Sequence, residues 1–252
     1  ESEHDAIDAS HAGTSLSIAS GYAKALKTTA PENYVVAMIG DGSLVEGMAF
    51  EGLNYCSEDP SLPLIIVIND NEMAIAPSVG GMTRLTAGDD WKEKSGSFFK
   101  GMGFEYIAVE QGHAITDLSA ALTQAKALKA PVVVHVKTEK GKGLECAKEH
   151  PYKMHFSMPF DAATGAGASP TVAGRTYAVV AAAELESCMS QDDAIYALTP
   201  ATPYASSLDA CLAKFPDRAL DVGMAEQQAV GMACGLALGG KKPVVCIQTT
   251  FM

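Results

Sequence analysis

The chain has 252 residues, 48% hydrophobic and 19% charged, proportions that suit one large globular domain or two smaller ones. Its 18 basic and 30 acidic residues give a net charge of −12, which argues against nucleic acid or a membrane surface as a partner. No apolar run approaches the ~20 residues of a membrane span, and no signal-peptide pattern opens the chain.

Six scattered cysteines (Cys56, Cys146, Cys188, Cys211, Cys234 and Cys246) include no Cys-x-x-Cys pair. They read as reduced thiols rather than a disulfide framework or a zinc site.

Taken in order, Ser10-His11-Ala12-Gly13-Thr14-Ser15 reads as a turn leading into a helix from about Ser15 to Thr29. Leu16, Ala19, Tyr22, Ala23 and Leu26 give that helix an amphipathic face. A buried strand is predicted at Val35–Ile39, then a Gly40-Asp41-Gly42 turn and a helix from about Glu46 to Ser57. Pro60 and Pro63 bracket the turn before a second strand, Leu64–Ile68, which ends in Asn69-Asp70-Asn71. Residues 76–96 read as an irregular, mobile loop. Phe104–Val109 is a third strand, Thr116–Lys129 a helix and Pro131–Val136 a fourth strand, followed by the basic glycine-rich loop Lys140-Gly141-Lys142-Gly143.

Residues 161–174 are rich in Ala, Gly, Ser, Thr and Pro and read as a linker. Beyond them the alternation resumes. Helices are predicted over Arg175–Met189, before Phe215-Pro216 and over Glu226–Leu238. Strands are predicted over Ala194–Leu198, Ala219–Val222 and Pro243–Gln248. Strand and helix alternate on both sides of the linker. The fold class is therefore α/β, with two domains that are each a mainly parallel sheet flanked by helices.

The two strand-ending turns are the feature with chemical content. Ligands of open parallel sheets bind at the carboxyl edge of the strands. Gly40 and Gly42 let backbone amides approach an anion, while Asp41 and Asn71 offer the hard oxygen ligands that suit Mg2+. Together they read as a diphosphate held through a metal. Taken alone, other candidates have plainer readings. Glu226 suits any helix N-terminus, Phe251 a core, His11 a turn, and Lys140 and Lys142 a solvated face.

Gly-Asp-Gly followed by Asn-Asp-Asn resembles the signature of thiamine-diphosphate enzymes. The wider wording resembles the 1-deoxy-D-xylulose-5-phosphate synthase family. The matching stretches are His11–Ser15, Gly47-Met48-Ala49-Phe50-Glu51, Asn69–Met73, Phe215-Pro216-Asp217-Arg218, Ala225-Glu226-Gln227, Gly239–Pro243 and Thr250-Phe251. They cover nearly the whole chain. The family's N-terminal stretch and everything after its Thr-Phe pair have no counterpart in this sequence.

The resemblance implies two thiamine-diphosphate-binding-type domains. These are a diphosphate and Mg2+ domain over 1–160 and part of a pyrimidine-binding domain over 175–252, joined by 161–174. It implies Asp41, Asn71 and the Met73 carbonyl as metal ligands. Ser10, His11, Ala12, Gly42, Ser43 and Asn71 are then cofactor contacts, with Phe251 stacked on the aminopyrimidine ring. Glu226 hydrogen-bonds that ring and holds the proton that lets the cofactor deprotonate its own thiazolium carbon. His155 is implied as a second catalytic group.

The implied reaction joins pyruvate, with loss of CO2, to glyceraldehyde 3-phosphate, giving 1-deoxy-D-xylulose 5-phosphate for isoprenoid and thiamine biosynthesis. The alternatives are a transketolase-like two-carbon transferase and a non-catalytic paralogue that keeps the cofactor. A homodimer is expected, in a bacterial cytoplasm or a plastid. Leu144, Gln228 and Gln248 depart from the family pattern, where an aromatic, a histidine and a tyrosine are usual. The loop after Met82 is shorter than the family's.

Overall fold

β-branched runs bounded by glycine, asparagine and proline lie side by side in the computed structural model, which describes residues 2–7, 11–152, 154–155, 157, 159–167 and 176–251. The chain divides into two compact units, Glu1–Glu72 with Gly81–Thr138, and Met73–Gly80 with Glu139–Met252. Residues 139–160 thus cluster with the second unit.

In chain order the first unit contains α1 (Ser15–Thr29), β1 (Val35–Gly40), a 3-10 turn (Asp41–Val45), α2 (Gly47–Cys56) and β2 (Leu64–Asp70). It continues with α3 (Thr83–Thr86), α4 (Trp91–Met102), β3 (Glu105–Val109), α5 (Ile115–Leu128) and β4 (Val132–Lys137). The four strands form one sheet in the order β1-β2-β4-β3, and every pairing is parallel. Gly40 stands opposite Asn69 in the register, so the two strand-ending turns leave the same edge side by side.

Each face of this sheet has its own core. Val35, Ala37, Ile39, Ile66, Ile68 and Val133 pack against Leu16, Ala49, Leu53 and Phe99 from α1, α2 and α4. Ile65, Val132, Val134, Val136 and Ile107 pack instead against Ala121 and Ala125 of α5. The alternation follows from the two-residue period of a strand. It persists in the edge strand β1, but there the second face is uncovered, with Val36 and Met38 54% and 66% exposed.

One expectation changes here. The stretch read as a mobile loop up to Gly96 contains α3 and the first half of α4. Trp91, Ser95 and Phe99 recur at four-residue spacing and are buried, which fixes the helix against the sheet. Gly103, at φ +103°, ends it in the left-handed conformation.

The second unit contains α6 (Glu145–Glu149), α7 (Tyr177–Gln191), β5 (Ile195–Thr199), α8 (Asp209–Lys214), β6 (Ala219–Asp221), α9 (Glu226–Leu238) and β7 (Lys242–Val245). Its sheet has the order β6-β5-β7 and is also parallel. Ala182 and Met189 of α7 pack with Ala197, Cys211 and Ala219. Arg218 braces this core. Its guanidinium donates to the carbonyls of Met189, Asp192 and Ile195 at 3.1–3.2 Å and packs over the Phe215 ring. Residues 168–175, about half of the expected linker, lie outside the described residues. The six cysteines are all free thiols.

Candidate functional site

The carboxyl edge of the first sheet brings two of the predicted metal ligands together. Asp41 follows β1 and is 6% exposed, and its Oδ1 accepts the main-chain N–H of Asn71, just past β2, at 3.3 Å. Gly42 and Ser43 continue the 3-10 turn from Asp41, with Gly42 buried. A carboxylate and an amide side chain on adjacent turns give a hard, all-oxygen donor set. Among the described residues no group of three His, Cys, Asp or Glu side chains could hold a metal. Any metal here must therefore complete its shell with main-chain and ligand oxygens. That is how Mg2+ is bound beside phosphates, so this chemistry fits the ion.

The His11 turn belongs to the same unit. The Thr14 hydroxyl donates to the His11 carbonyl at 2.8 Å, and both His11 and Ala12 are exposed. Gly13 follows at φ +73°, and a Cβ there would sit 2.3 Å from Glu46 Oε2. The left-handed φ favours glycine, and a Cβ would also push aside the side chain of Glu46, the residue before α2. Ser10, the first predicted residue of this turn, lies outside the described residues.

The other candidates fall in the second unit. Met73 forms an isolated antiparallel bridge with Pro77. Glu226 is the first residue of α9, half-buried, where the helix dipole favours its charge. Phe251 lies in a 3-10 turn, its N–H donating to the Gln248 carbonyl at 2.9 Å. His155 is exposed as a residue. Local burial of its ring lowers its pKa, and the Lys140 charge adds to that shift. The lysines of the glycine-rich loop are engaged within the unit. Lys140 donates to the Ala74 carbonyl, and Lys142 pairs with Glu139 at 2.8 Å.

Sequence reasoning missed a buried polar cluster behind the Asn69-Asp70-Asn71 turn. Asp70 and His135 are both fully buried, with His135 Nε2 and Asp70 Oδ2 2.7 Å apart. His135 Nδ1 meets the Tyr106 hydroxyl at 3.0 Å. A neutral imidazole protonated at Nε2 satisfies both contacts, donating to Asp70 and accepting from Tyr106. Lys137 Nζ lies 2.8 Å from the same Asp70 oxygen. Burial pushes the Asp70 carboxyl up, but the hydrogen bonds from His135 and Lys137, with the Lys137 charge, outweigh it and hold the group below the ordinary carboxylate value. The signal in the sequence was a histidine inside the apolar run Val132–Val136, a position that needs a polar partner.

A family model described as 1-deoxy-D-xylulose-5-phosphate synthase matches residues 1–94 and 88–138. The transketolase pyrimidine-binding domain model matches residues 174–252. A 1-deoxy-D-xylulose-5-phosphate synthase of Myxococcus xanthus is 40% identical over 253 residues, covering all of this chain and 42% of the relative. The enzyme of the same name from Listeria monocytogenes is 38% identical over 261 residues, covering all of this chain and 43% of the relative. That from Symbiobacterium thermophilum is 37% identical over 290 residues, covering all of this chain and 44% of the relative. The chain therefore spans less than half the length of the curated relatives it matches. The Symbiobacterium alignment is longer than the 252-residue chain, and the two segments matched by the first model overlap over 88–94, which includes the start of α4.

Proposed function

The chain belongs to the 1-deoxy-D-xylulose-5-phosphate synthase family, and from that premise we propose that it is part of a transferase that condenses pyruvate with glyceraldehyde 3-phosphate, releasing CO2, to give 1-deoxy-D-xylulose 5-phosphate. The observation that carries this reading is the Asp41–Asn71 contact at the carboxyl edge of two adjacent parallel strands. Its cofactors are thiamine diphosphate and Mg2+. Asp41, Asn71 and the Met73 carbonyl are the metal ligands, while the amides of Gly42 and Ser43 receive the diphosphate. The Ser10-His11-Ala12 turn is a further contact to the cofactor.

The domain roles follow the same reading. Residues 1–160 form the diphosphate-binding domain, 161–174 the linker and 175–252 part of the pyrimidine-binding domain. When bound, the cofactor supplies a carbon nucleophile that adds to the pyruvate ketone and accepts the electrons left by CO2. Glu226 is the group that keeps a proton on the aminopyrimidine ring, and Phe251 stacks on that ring's face. His155, with its lowered pKa, is available as a neutral base near pH 7. The protein acts on small molecules, as a homodimer in a bacterial cytoplasm or a plastid. No helix of the described residues is long and apolar enough to cross a membrane.

The test is turnover by the full protein that carries this chain. Pyruvate and glyceraldehyde 3-phosphate, with thiamine diphosphate and Mg2+, should yield the pentulose phosphate and CO2. Absence of product would sink the reading. A second reading, a two-carbon transferase, draws on the transketolase description of the pyrimidine-binding match. In that case ketose phosphates rather than pyruvate would serve as donors in the same assay.

A further inference from the structure

The buried cluster behind the Asn69-Asp70-Asn71 turn has a job that stability alone does not explain. Withdrawing a carboxylate and an ammonium from water is costly, and an apolar replacement of similar volume is often as stable. Here the charges converge on one short piece of backbone. Asp70 Oδ1 accepts the Glu72 N–H at 3.2 Å, while Oδ2 faces His135 and Lys137. Lys137 also reaches Glu72 Oε1 at 3.1 Å and the Thr86 carbonyl at 2.6 Å.

Glu72 is one of the few non-glycine residues with positive φ, at +62°. An L residue is strained in that left-handed conformation, so neighbouring contacts must hold it. The conformation matters because Glu72 directly follows Asn71. Asn69 is held as well, by the Thr138 hydroxyl at 2.6 Å, and the Asn71 N–H by Asp41. Behind these contacts, Tyr106 anchors His135, and Gly96 of α4 leaves room for the Tyr106 ring, which lies 3.2 Å from where a Cβ would stand. Trp91 closes the cluster edge-on against His135, with ring centroids 4.6 Å apart.

We infer that Asp70, His135 and Lys137 are positioning residues that hold Glu72 in its left-handed conformation and thereby aim Asn71 at the Mg2+-diphosphate. This rests on the metal reading proposed above. The clamp fixes the turn before ligand arrives, so the ion meets a ligand already oriented. It acts through backbone geometry, which makes a second-site rescue possible. Glycine at position 72 adopts the left-handed conformation without the clamp.

The experiment is calorimetric titration of thiamine diphosphate into the full protein at a series of Mg2+ concentrations. It compares the parent, Asp70→Asn, Lys137→Met and the double variant Asp70→Asn/Glu72→Gly. Near-UV circular dichroism reports whether each is folded. The Mg2+ concentration for half-maximal binding should rise about 10- to 100-fold in Asp70→Asn, the range typical when a group supporting a metal ligand is lost. Glu72→Gly should recover most of that rise in the double variant, which a general packing defect would not allow. A folded Asp70→Asn protein with a midpoint within about threefold of the parent, below that range, overturns the inference. So does a double variant no better than Asp70→Asn. If Asp70→Asn fails to fold, Lys137→Met is judged by the same criterion. A parent that binds the cofactor without any Mg2+ dependence refutes the metal reading itself, and that failure is visible before any variant is compared.

Discussion

Asp59 is where the protein's acid sensitivity can be read at a single residue. Its carboxylate accepts from Lys27 Nζ at 2.7 Å and from both the N–H and hydroxyl of Ser61, tying the end of α1 to the loop before β2. The Lys27 bond first, then the Ser61 bonds, lower its pKa from 3.8 to about 2. A carboxyl depressed in the folded state stabilises above its unfolded value, and that stabilisation is lost as pH falls through the folded one. Unfolding free energy should therefore decline between about pH 4 and pH 2, with Asp59 contributing about 1 kcal/mol or less because the pair is near solvent. Asp59→Asn should flatten that part of a denaturant-midpoint profile; an unchanged profile would show that the ion pair contributes nothing. Gly13 offers a second residue test. Gly13→Ala combines left-handed strain with a collision against Glu46 and should cost about 1–3 kcal/mol in chemical denaturation. Adding Glu46→Ala should recover only the collision. Full recovery would mean that the backbone at Gly13 is free to relax.

At the scale of elements, the strands were legible and the helices α3, α4 and α6 were not. Val35–Gly40 and Leu64–Asp70 are unbroken apolar runs rich in Val and Ile, closed by glycine and by Asn69-Asp70, and nothing local competes with a strand there. The segment Gly88–Lys94 carried glycine, paired aspartates and alternating charge, all of which favour a loop locally. Burial of Trp91, Ser95 and Phe99 overrides that preference and makes α4. His135 was missed for a related reason. An apolar run hides its one polar member, and the partner Asp70 is 65 residues away in sequence. In the second unit, the bracing by Arg218 predicts a clear cost. Arg218→Met leaves three carbonyls without their charged donor and should lower stability by about 2–3 kcal/mol, read as the denaturant midpoint. Arg218→Lys should recover little of it, because an ammonium lacks the planar fork that reaches three acceptors. Recovery to the parent value would show that charge, not geometry, is what the position needs.

For the whole molecule, the α/β class with two parallel sheets followed from strand and helix alternation alone. The pairing of Asp41 with Asn71 was also within reach of sequence, because turns that end adjacent parallel strands meet at one edge. The clamp on Glu72 was not, since it depends on a backbone angle and on side chains drawn from β2 and β4. Glu226, Phe251, His155 and Met73 owe their proposed roles to family membership and not to a visible constellation of charges. The central claim is thus the metal-diphosphate edge. Calorimetric titration of thiamine diphosphate into the full protein, with saturating Mg2+ and again with chelator, tests it most directly. The account predicts saturable binding that requires Mg2+ and is lost in Asp41→Ala, with stabilisation of about 2.7 kcal/mol at a hundredfold excess over Kd. Binding of equal strength in chelator, or in Asp41→Ala, would contradict it.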